Sequence, residues 1–369
     1  MYTLPKIERF NQNVAAKYAI YNSIFITLPF DAIGNTGALL PLFSECCVTG
    51  FKNEVTPIQI VDTFSKKYIG TTTERATIQL LFRFIQYVER QIVLFDAIED
   101  AAFPVVNTME GNGSLLDSSD RANTKELKEK LIAFLEDFNV RTVLTAHPTQ
   151  FYPGAVLGII TDLTDAIRYN NLVKIKQLLA QLGKTPFIKK EKPTPYDEAV
   201  SLIWYLENVF YQTSGEVLQY IQKNIFNDKP LSNAIIQLGF WPGGDRDGNP
   251  FVTSEITLQV ADRLRTSILK CYYSDIRKLK RKLTFPGIDT IIAYIENRIY
   301  RSVFYSDGTI FISLSELKEK LNEIKIIAIQ KHQALYLDEI NDFINKVNVF
   351  GFHFASLDIR FGKSFMTNF

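Results

Sequence analysis

Three short polar clusters, each placed directly after an apolar run of β-strand type, constrain this chain more than any other feature of its sequence. They are TAHPTQ (145–150), GGDRDGNP (243–250) and LDIR (357–360), and about a hundred residues of mostly helical pattern separate one from the next. In a parallel β/α barrel, the loops after the strands meet at one end and carry the chemistry. We therefore expect a mostly α protein with a TIM-type β/α barrel that is incomplete here, since only about three of the eight strands are recognisable.

The composition is that of a large globular protein. Apolar residues make up 46% of the 369 residues, and 41 Lys+Arg balance 40 Asp+Glu to a net charge of +1. This balance gives no electrostatic reason to expect a nucleic-acid partner. No apolar run reaches the length of a membrane span, the N-terminus has no secretory pattern, and the three cysteines fit neither a disulfide framework nor a metal motif. We expect a cytoplasmic protein with reduced cysteines and no membrane partner.

Helices are predicted from apolar spacing and from capping residues. Apolar residues from Ile78 to Phe95 follow a helical period, and the pairs Thr194-Pro195 and Ser313 with Glu316 are typical of helix starts. The segment 107–123 has no such period and is rich in Gly, Ser and Asn, so we expect a disordered loop there. No change of composition marks a boundary, and we expect residues 1–369 to form a single interlocked α-rich domain.

His147 is the strongest catalytic candidate. A strand predicted over Arg141–Leu144 places this imidazole just past a strand end, with Pro148 restricting the backbone after it. Imidazole can accept and return a proton near neutral pH with an unperturbed pKa. The alternative is a histidine that is only hydrogen-bonded by its neighbours, and we assign His332, in a helical stretch, and His353, in a predicted strand, to that class.

The cluster GGDRDGNP is not a known glycine-rich phosphate loop. It has neither the G-K-[ST] ending nor the G-x-G-x-x-G spacing. Asp245, Asp247 and Asn249 have the spacing of the first ligands of a calcium loop. However, Pro250 replaces the required glycine and Ile256 replaces the bidentate glutamate, so calcium is excluded.

What remains is a tight turn in which Gly243 and Gly244 permit close backbone approach. Arg246 stands between Asp245 and Asp247, which could orient its guanidinium toward a ligand. A turn held by an internal salt bridge explains the same residues equally well, so both interpretations stay open.

The third cluster ends a predicted strand over 349–359. Asp358 and Arg360 are two residues apart and are expected to share a face, so the carboxylate could orient the guanidinium. An oriented guanidinium suits bidentate binding of a phosphate or carboxylate. An exposed arginine at a strand end is also commonly without function.

Together these residues resemble the phosphoenolpyruvate carboxylase family. The resemblance rests on TAHPTQ, GFWPGGDRDGNP (239–250) and FASLDIR (354–360), in family order, and on YNSIFITLPF (21–30). It implies an α-rich body around a β/α barrel, a homotetramer, and a lyase that joins phosphoenolpyruvate to bicarbonate, giving oxaloacetate and phosphate with Mg²⁺ or Mn²⁺. It also implies that His147 is the catalytic base and that Arg360 binds substrate.

The match also has departures from the family pattern. Phe151-Tyr152-Pro153-Gly154 stands where many members carry an Arg-Arg pair, and the chain ends at Phe369, before the segments in which the family holds its metal-binding carboxylates. We therefore expect the metal ligands outside this chain, and no carboxylase activity from the chain alone. The competing hypothesis is a non-catalytic helical scaffold, or an anion-binding fragment that needs a separate C-terminal partner.

Overall fold

The computed structural model describes residues 4–27, 36–70, 73–107, 111, 113–145, 152, 154–187, 193–231, 235–246, 249–305 and 311–360. Of the predicted site residues, His147 and Asp247 lie outside this part of the chain. The described residues are mostly helical and include one small parallel sheet. None of the helices in the described ranges is both long and apolar enough to span a membrane.

The chain divides into two units that alternate along the sequence. The first comprises residues 1–111 and 150–191, and the second comprises 112–149 and 192–369. Each unit takes residues from two separate stretches of the chain, so the division has no single boundary in the sequence.

Helices are the only regular secondary structure in the described residues of the first unit. Its helices are α1 Lys6–Phe10, α2 Ala16–Thr27, α3 Thr36–Lys52, α4 Pro57–Phe64, α5 Glu74–Asn107, α8 Gly154–Arg168 and α9 Leu172–Lys184. The turns Asn11–Ala15 and Ser65–Ile69 are π-helical. Its core forms where α5 packs on α8 and α9, through small and branched residues such as Ala97, Ile98, Leu163 and Leu179, all fully buried.

The second unit contains the sheet and the remaining helices. The helices are α6 Leu115–Thr124, α7 Lys128–Asp137, α10 Pro195–Tyr205, α11 Tyr211–Asn224, α12 Ser254–Lys282, α13 Asp289–Phe304, α14 Leu314–Lys331 and α15 Leu337–Phe350. The strands are β1 Val140–Leu144, β2 Ile236–Phe240 and β3 Ser356–Leu357. A π-helical turn, Leu206–Phe210, joins α10 to α11.

Two predicted helix starts, at Thr194 and at Ser313, are confirmed. The side chain of Thr194 accepts from the backbone N–H of Asp197 in a full capping box with Pro195 at the first turn. The side chains of Thr253 and Ser313 cap α12 and α14 by accepting from the backbone N–H groups of Ile256 and Glu316. Residues 115–124 differ from expectation, because they form α6 where a disordered loop is predicted. Ser114 caps this helix, and Ser119 and Ala122 are buried on one face of it.

The three strands are parallel in the order β1-β2-β3. Leu144 pairs with Phe240, and Phe240 pairs with Leu357, so the carboxyl ends of the strands lie side by side. Leu238 and Phe240 point from β2 into a core shared with Val260, Leu264 and Ile268 of α12. Gly239 therefore faces the opposite side of the sheet.

The third strand is much shorter than the predicted 349–359. α15 continues to Phe350, Gly351 ends it with a φ of +51°, and a turn leads into β3. His353, predicted in a strand, lies in this turn. Phe350, Phe354 and Ala355 of this segment are buried from a helix end and a bend rather than from a strand face.

Candidate functional site

The turn that follows β2 is shaped by two glycines that have no room for a side chain. The N–H groups of Gly244 and Asp245 both donate to the carbonyl of Trp241, at 2.9 Å each. A Cβ on Gly243 would lie 2.5 Å from Val260, and its φ is +79°. A Cβ on Gly244 would lie 2.2 Å from the carbonyl oxygen of Asp358. The close backbone approach expected of these glycines is therefore an approach to α12 and to the LDIR segment.

Backbone hydrogen bonds fasten this turn to the LDIR segment. The N–H of Arg360 donates to the carbonyl of Gly244 at 3.1 Å, and the N–H of Arg246 donates to the carbonyl of Arg360 at 3.2 Å. Asp245 and Arg360 thus form a parallel bridge beyond the ends of β2 and β3. Two motifs more than a hundred residues apart in sequence therefore meet at one edge of the sheet.

The side chain of Arg360 lies between a carboxylate and an aromatic ring. Its Nη1 is 3.5 Å from Oδ2 of Asp245, and its Cζ is 4.4 Å from the centre of the Trp241 ring. About half of the side chain, 51%, is exposed to solvent. Both contacts restrict the plane of the guanidinium while half of the side chain stays accessible, and such an arrangement suits bidentate anion binding.

Asp358 has different partners from those expected. Its Oδ1 accepts from Nη2 of Arg141, and its Oδ2 accepts from Nε1 of Trp241 at 3.1 Å. The carboxylate beside Arg360 is Asp245, which is brought there by the bridge between the two segments. The expectation that Asp358 orients Arg360 directly is thus replaced by an indirect link through Trp241.

Arg246 is joined to the first turn of α12. Its Nη2 lies 3.3 Å from the hydroxyl of Ser254 and 3.4 Å from that of Thr257, and the Thr257 hydroxyl is 2.6 Å from the carbonyl of Gly243. These contacts favour the interpretation in which Arg246 holds the turn. Asp245 is the described carboxylate of this motif, and its ion pair is with Arg360.

Of the other two histidines, His332 has local partners of the kind expected. A ring nitrogen of His332 lies 3.3 Å from the carbonyl of Pro286, and the ring stacks on Phe285 at 5.1 Å. Burial lowers the pKa of His353 below its usual value. For His147, the described structure ends two residues earlier, at Thr145, directly after the strand residue that accepts from the N–H of Trp241 at 3.0 Å.

A family model described as phosphoenolpyruvate carboxylase matches residues 106–291, just over half of the chain. The chain belongs to the phosphoenolpyruvate carboxylase family. The matched range contains β1, β2, TAHPTQ and the glycine turn.

Curated relatives carry the same family name. A phosphoenolpyruvate carboxylase of Shewanella halifaxensis is 27% identical over 277 residues, which are 63% of this chain and 32% of that protein. The enzyme of Aeromonas salmonicida is 30% identical over 275 residues, covering 63% of this chain and 31% of that protein. This chain thus spans about a third of the length of the phosphoenolpyruvate carboxylases it matches.

Two residues of this candidate site were not identified from the sequence. Trp241 stands inside the GFWPGGDRDGNP motif, and an aromatic residue before a glycine turn is an available signal for a platform under a cation. Arg141 lies at the start of β1 and gave no signal, because its partner is on another segment, 217 residues away. Within the described ranges, no three His, Cys, Asp or Glu residues form a cluster that could hold a metal ion.

Proposed function

We propose that this chain supplies the phosphate-binding part of a phosphoenolpyruvate carboxylase active site, with Arg360 as its principal anion ligand. The observation that carries this is the half-exposed guanidinium held between Asp245 and the Trp241 ring at the carboxyl edge of a parallel sheet. In β/α barrels this edge is where substrates bind. Membership of the family supports phosphoenolpyruvate and bicarbonate as the substrates.

We propose a barrel as the architecture of the complete family polypeptide. Supporting this, the three strands are parallel, long helical segments connect them, and β1 and β3 each have one hydrogen-bonded neighbour among the described strands. The outer edges of β1 and β3 expose backbone donors and acceptors that further strands would pair. Within this proposal those strands belong to the two-thirds of the relatives' length that this chain does not match.

The proposed reaction begins with attack of bicarbonate on the phosphoryl group of phosphoenolpyruvate, giving carboxyphosphate and the enolate of pyruvate. His147 then takes the proton of carboxyphosphate, which breaks into phosphate and CO2, and the enolate carbon bonds to CO2 to form oxaloacetate. Arg360 holds phosphate oxygens throughout, and its fixed guanidinium stabilises the charge that moves onto them. Arg246 is the second candidate for these oxygens, although its contacts with Ser254 and Thr257 also support a purely structural role.

The expected Mg²⁺ or Mn²⁺ does not fit the described residues, because they contain no suitable cluster of carboxylate, histidine or cysteine side chains. We propose that its ligands belong to the unmatched part of the complete polypeptide, and no step above is assigned to it. It follows that turnover needs that part as well.

Two measurements test this function. Calorimetric titration of phosphoenolpyruvate into the purified chain should show binding that Arg360→Gln weakens by about 10- to 100-fold, the loss typical of a charge-assisted bidentate contact. Arg265→Gln is the matched control, since Arg265 pairs with Asp262 on its own helix, and binding should be unchanged. Equal binding by wild type and Arg360→Gln would refute the assignment.

Oxaloacetate formation, followed through malate dehydrogenase, tests the catalytic part. The chain alone should give no bicarbonate-dependent turnover. The same chain within a complete family polypeptide should turn over, and His147→Asn should abolish the activity there while leaving phosphoenolpyruvate binding within about twofold. Full activity of the His147→Asn protein would remove this residue from the mechanism.

A further inference from the structure

Arg141 reaches across the whole sheet because the middle strand carries a glycine at the crossing point. β2 separates β1 from β3, yet the guanidinium of Arg141 on β1 binds Asp358, the residue after β3. A Cβ on Gly239 would lie 3.0 Å from Nη2 and 3.2 Å from Cζ of Arg141. The guanidinium therefore lies directly over Gly239, on the face of the sheet opposite Leu238 and Phe240.

This crossing fixes both oxygens of Asp358. One oxygen accepts from Arg141, which leaves the other facing the indole N–H of Trp241 at 3.1 Å. The side chain of Asp358 is 26% exposed and that of Arg141 is 39% exposed. Arg141 also balances the negative charge of Asp358.

Trp241 passes this positioning on to Arg360. An indole ring that is held at its N–H keeps one face toward the guanidinium, whose Cζ is 4.4 Å from the ring centre. A guanidinium stacked on a ring is restricted in plane, and bidentate recognition of an anion depends on that plane. An ion pair, a hydrogen bond and a cation–π contact thus connect Arg141, Asp358, Trp241 and Arg360 in series.

We propose that Arg141 is a positioning residue for the substrate-binding arginine, acting through Asp358 and Trp241 to set the orientation of Arg360 toward phosphoenolpyruvate. The proposal rests on the function proposed above for Arg360. Arg141 itself touches no substrate in this arrangement. Its removal should weaken anion binding while leaving the fold intact, because an ion pair with this exposure contributes little to stability.

Tryptophan fluorescence offers a direct test. The chain has two tryptophans, so in a Trp204→Phe background the indole emission comes from Trp241 alone. In this background, titration with phosphoenolpyruvate should show Kd raised about tenfold by Arg141→Gln and by Asp358→Asn. The double variant should be no worse than the more affected single variant, because residues that act through one another are not additive. Arg265→Gln is again the control.

The ligand-free protein supplies a second readout. Acrylamide quenching of Trp241 should increase in both Arg141→Gln and Arg360→Gln, because each change loosens the stack, whereas the melting temperature should stay within about 2 °C. A purely structural role for Arg141 would instead lower the melting temperature and leave Kd unchanged.

The outcomes separate the two proposals. Wild-type Kd and quenching in Arg141→Gln, with binding lost in Arg360→Gln, would overturn the role of Arg141 and leave the proposed function standing. No phosphoenolpyruvate binding by the wild-type chain would overturn the proposed function. In that event, only acrylamide quenching of Trp241 tests whether Arg141 positions the ring and Arg360. Equal quenching in Arg141→Gln and wild type would overturn the role of Arg141 as well.

Discussion

Replacing Lys346 by Met should destabilise the second unit strongly. Lys346, on α15, has only 2% of its side chain exposed, and its Nζ lies 2.7 Å from Asp342 and 3.2 Å from Asp275. Gln212 accepts from the same nitrogen at 3.3 Å, and the ring of Tyr211 lies 4.8 Å from it. Methionine fills a similar volume without charge, so the variant isolates the loss of the cation.

The magnitude follows from the carboxylates that remain. Removing one partner of a buried ion pair typically costs about 3–5 kcal/mol, because an uncompensated charge is left in the interior. The side chains of Asp275 and Asp342 are 13% and 22% exposed, so water reaches them in part. We therefore expect the lower end of the range, about 3 kcal/mol at pH 7.

The loss should shrink as the pH falls. Burial alone would raise the pKa of Asp275, but Lys346 and Lys278 together lower it below its usual value. In the wild type, Asp275 therefore contributes stability above its unfolded pKa of about 3.9, and this is lost as the pH falls through the lower folded pKa. Burial raises the pKa of Asp342. Without Lys346 both folded pKa values should be raised, so the variant gains stability relative to wild type as the pH drops from 7 to about 4.5.

Urea unfolding followed by circular dichroism at pH 7 and pH 4.5 measures both effects. Lys223→Met is the matched control, since Lys223 forms an ion pair with Asp338 in which both side chains are more than half exposed, and its loss should leave the free energy of unfolding almost unchanged. A loss below about 1 kcal/mol for Lys346→Met, or one that grows toward pH 4.5, would refute the reasoning.

Three further changes test other parts of the structure. Gly244→Ala should weaken phosphoenolpyruvate binding in calorimetry by at least about tenfold, because its Cβ would collide with the Asp358 carbonyl and separate the two motifs. Alkylation of Cys271 by iodoacetamide at pH 8, read by mass spectrometry, should be about 10²-fold slower in the native chain than in urea, because burial raises the pKa of its thiol to about 12. Arg90→Met should cost about 2–3 kcal/mol in urea unfolding, because the buried guanidinium donates to the carbonyl of Leu182. These contacts would be contradicted by an alkylation rate of Cys271 that is the same in the native chain and in urea. Unchanged phosphoenolpyruvate binding in Gly244→Ala, or an unchanged free energy of unfolding in Arg90→Met, would contradict them as well.

Local chemistry explains which parts of the fold were predictable. Caps such as Thr194 and Ser313 act within one helical turn, so sequence alone identifies them. Which face of α5 is buried depends on partners far along the chain. Phe82 and Ile85, two of the apolar residues that predict this helix, are about half exposed. Leu94 and Ala97, which the predicted period did not include, are fully buried in the core that α5 forms with α8 and α9.

In the candidate site, too, some features were predictable from the sequence and others depend on distant residues. The convergence of the glycine turn and the LDIR segment was predictable, because parallel strands bring their carboxyl ends to one edge. The pairing inside the site was not. Spacing along one strand predicts that Asp358 and Arg360 share a face. In the structure, a bridge between two segments places Arg360 beside Asp245. The side chain of Arg141 crosses over Gly239 and forms the ion pair with Asp358.

The alternation of the two units along the chain has a consequence for synthesis on the ribosome. The core of the first unit joins α5 to α8 and α9, so the face of α5 that packs on them cannot be buried until α8 and α9 have left the exit tunnel. Strand β1, made in between, waits longer still, since β2 emerges almost a hundred residues after it. A nascent chain paused near residue 145 would therefore expose the face of α5 that α8 and α9 later cover, and exposed apolar surface of this kind is what chaperones bind.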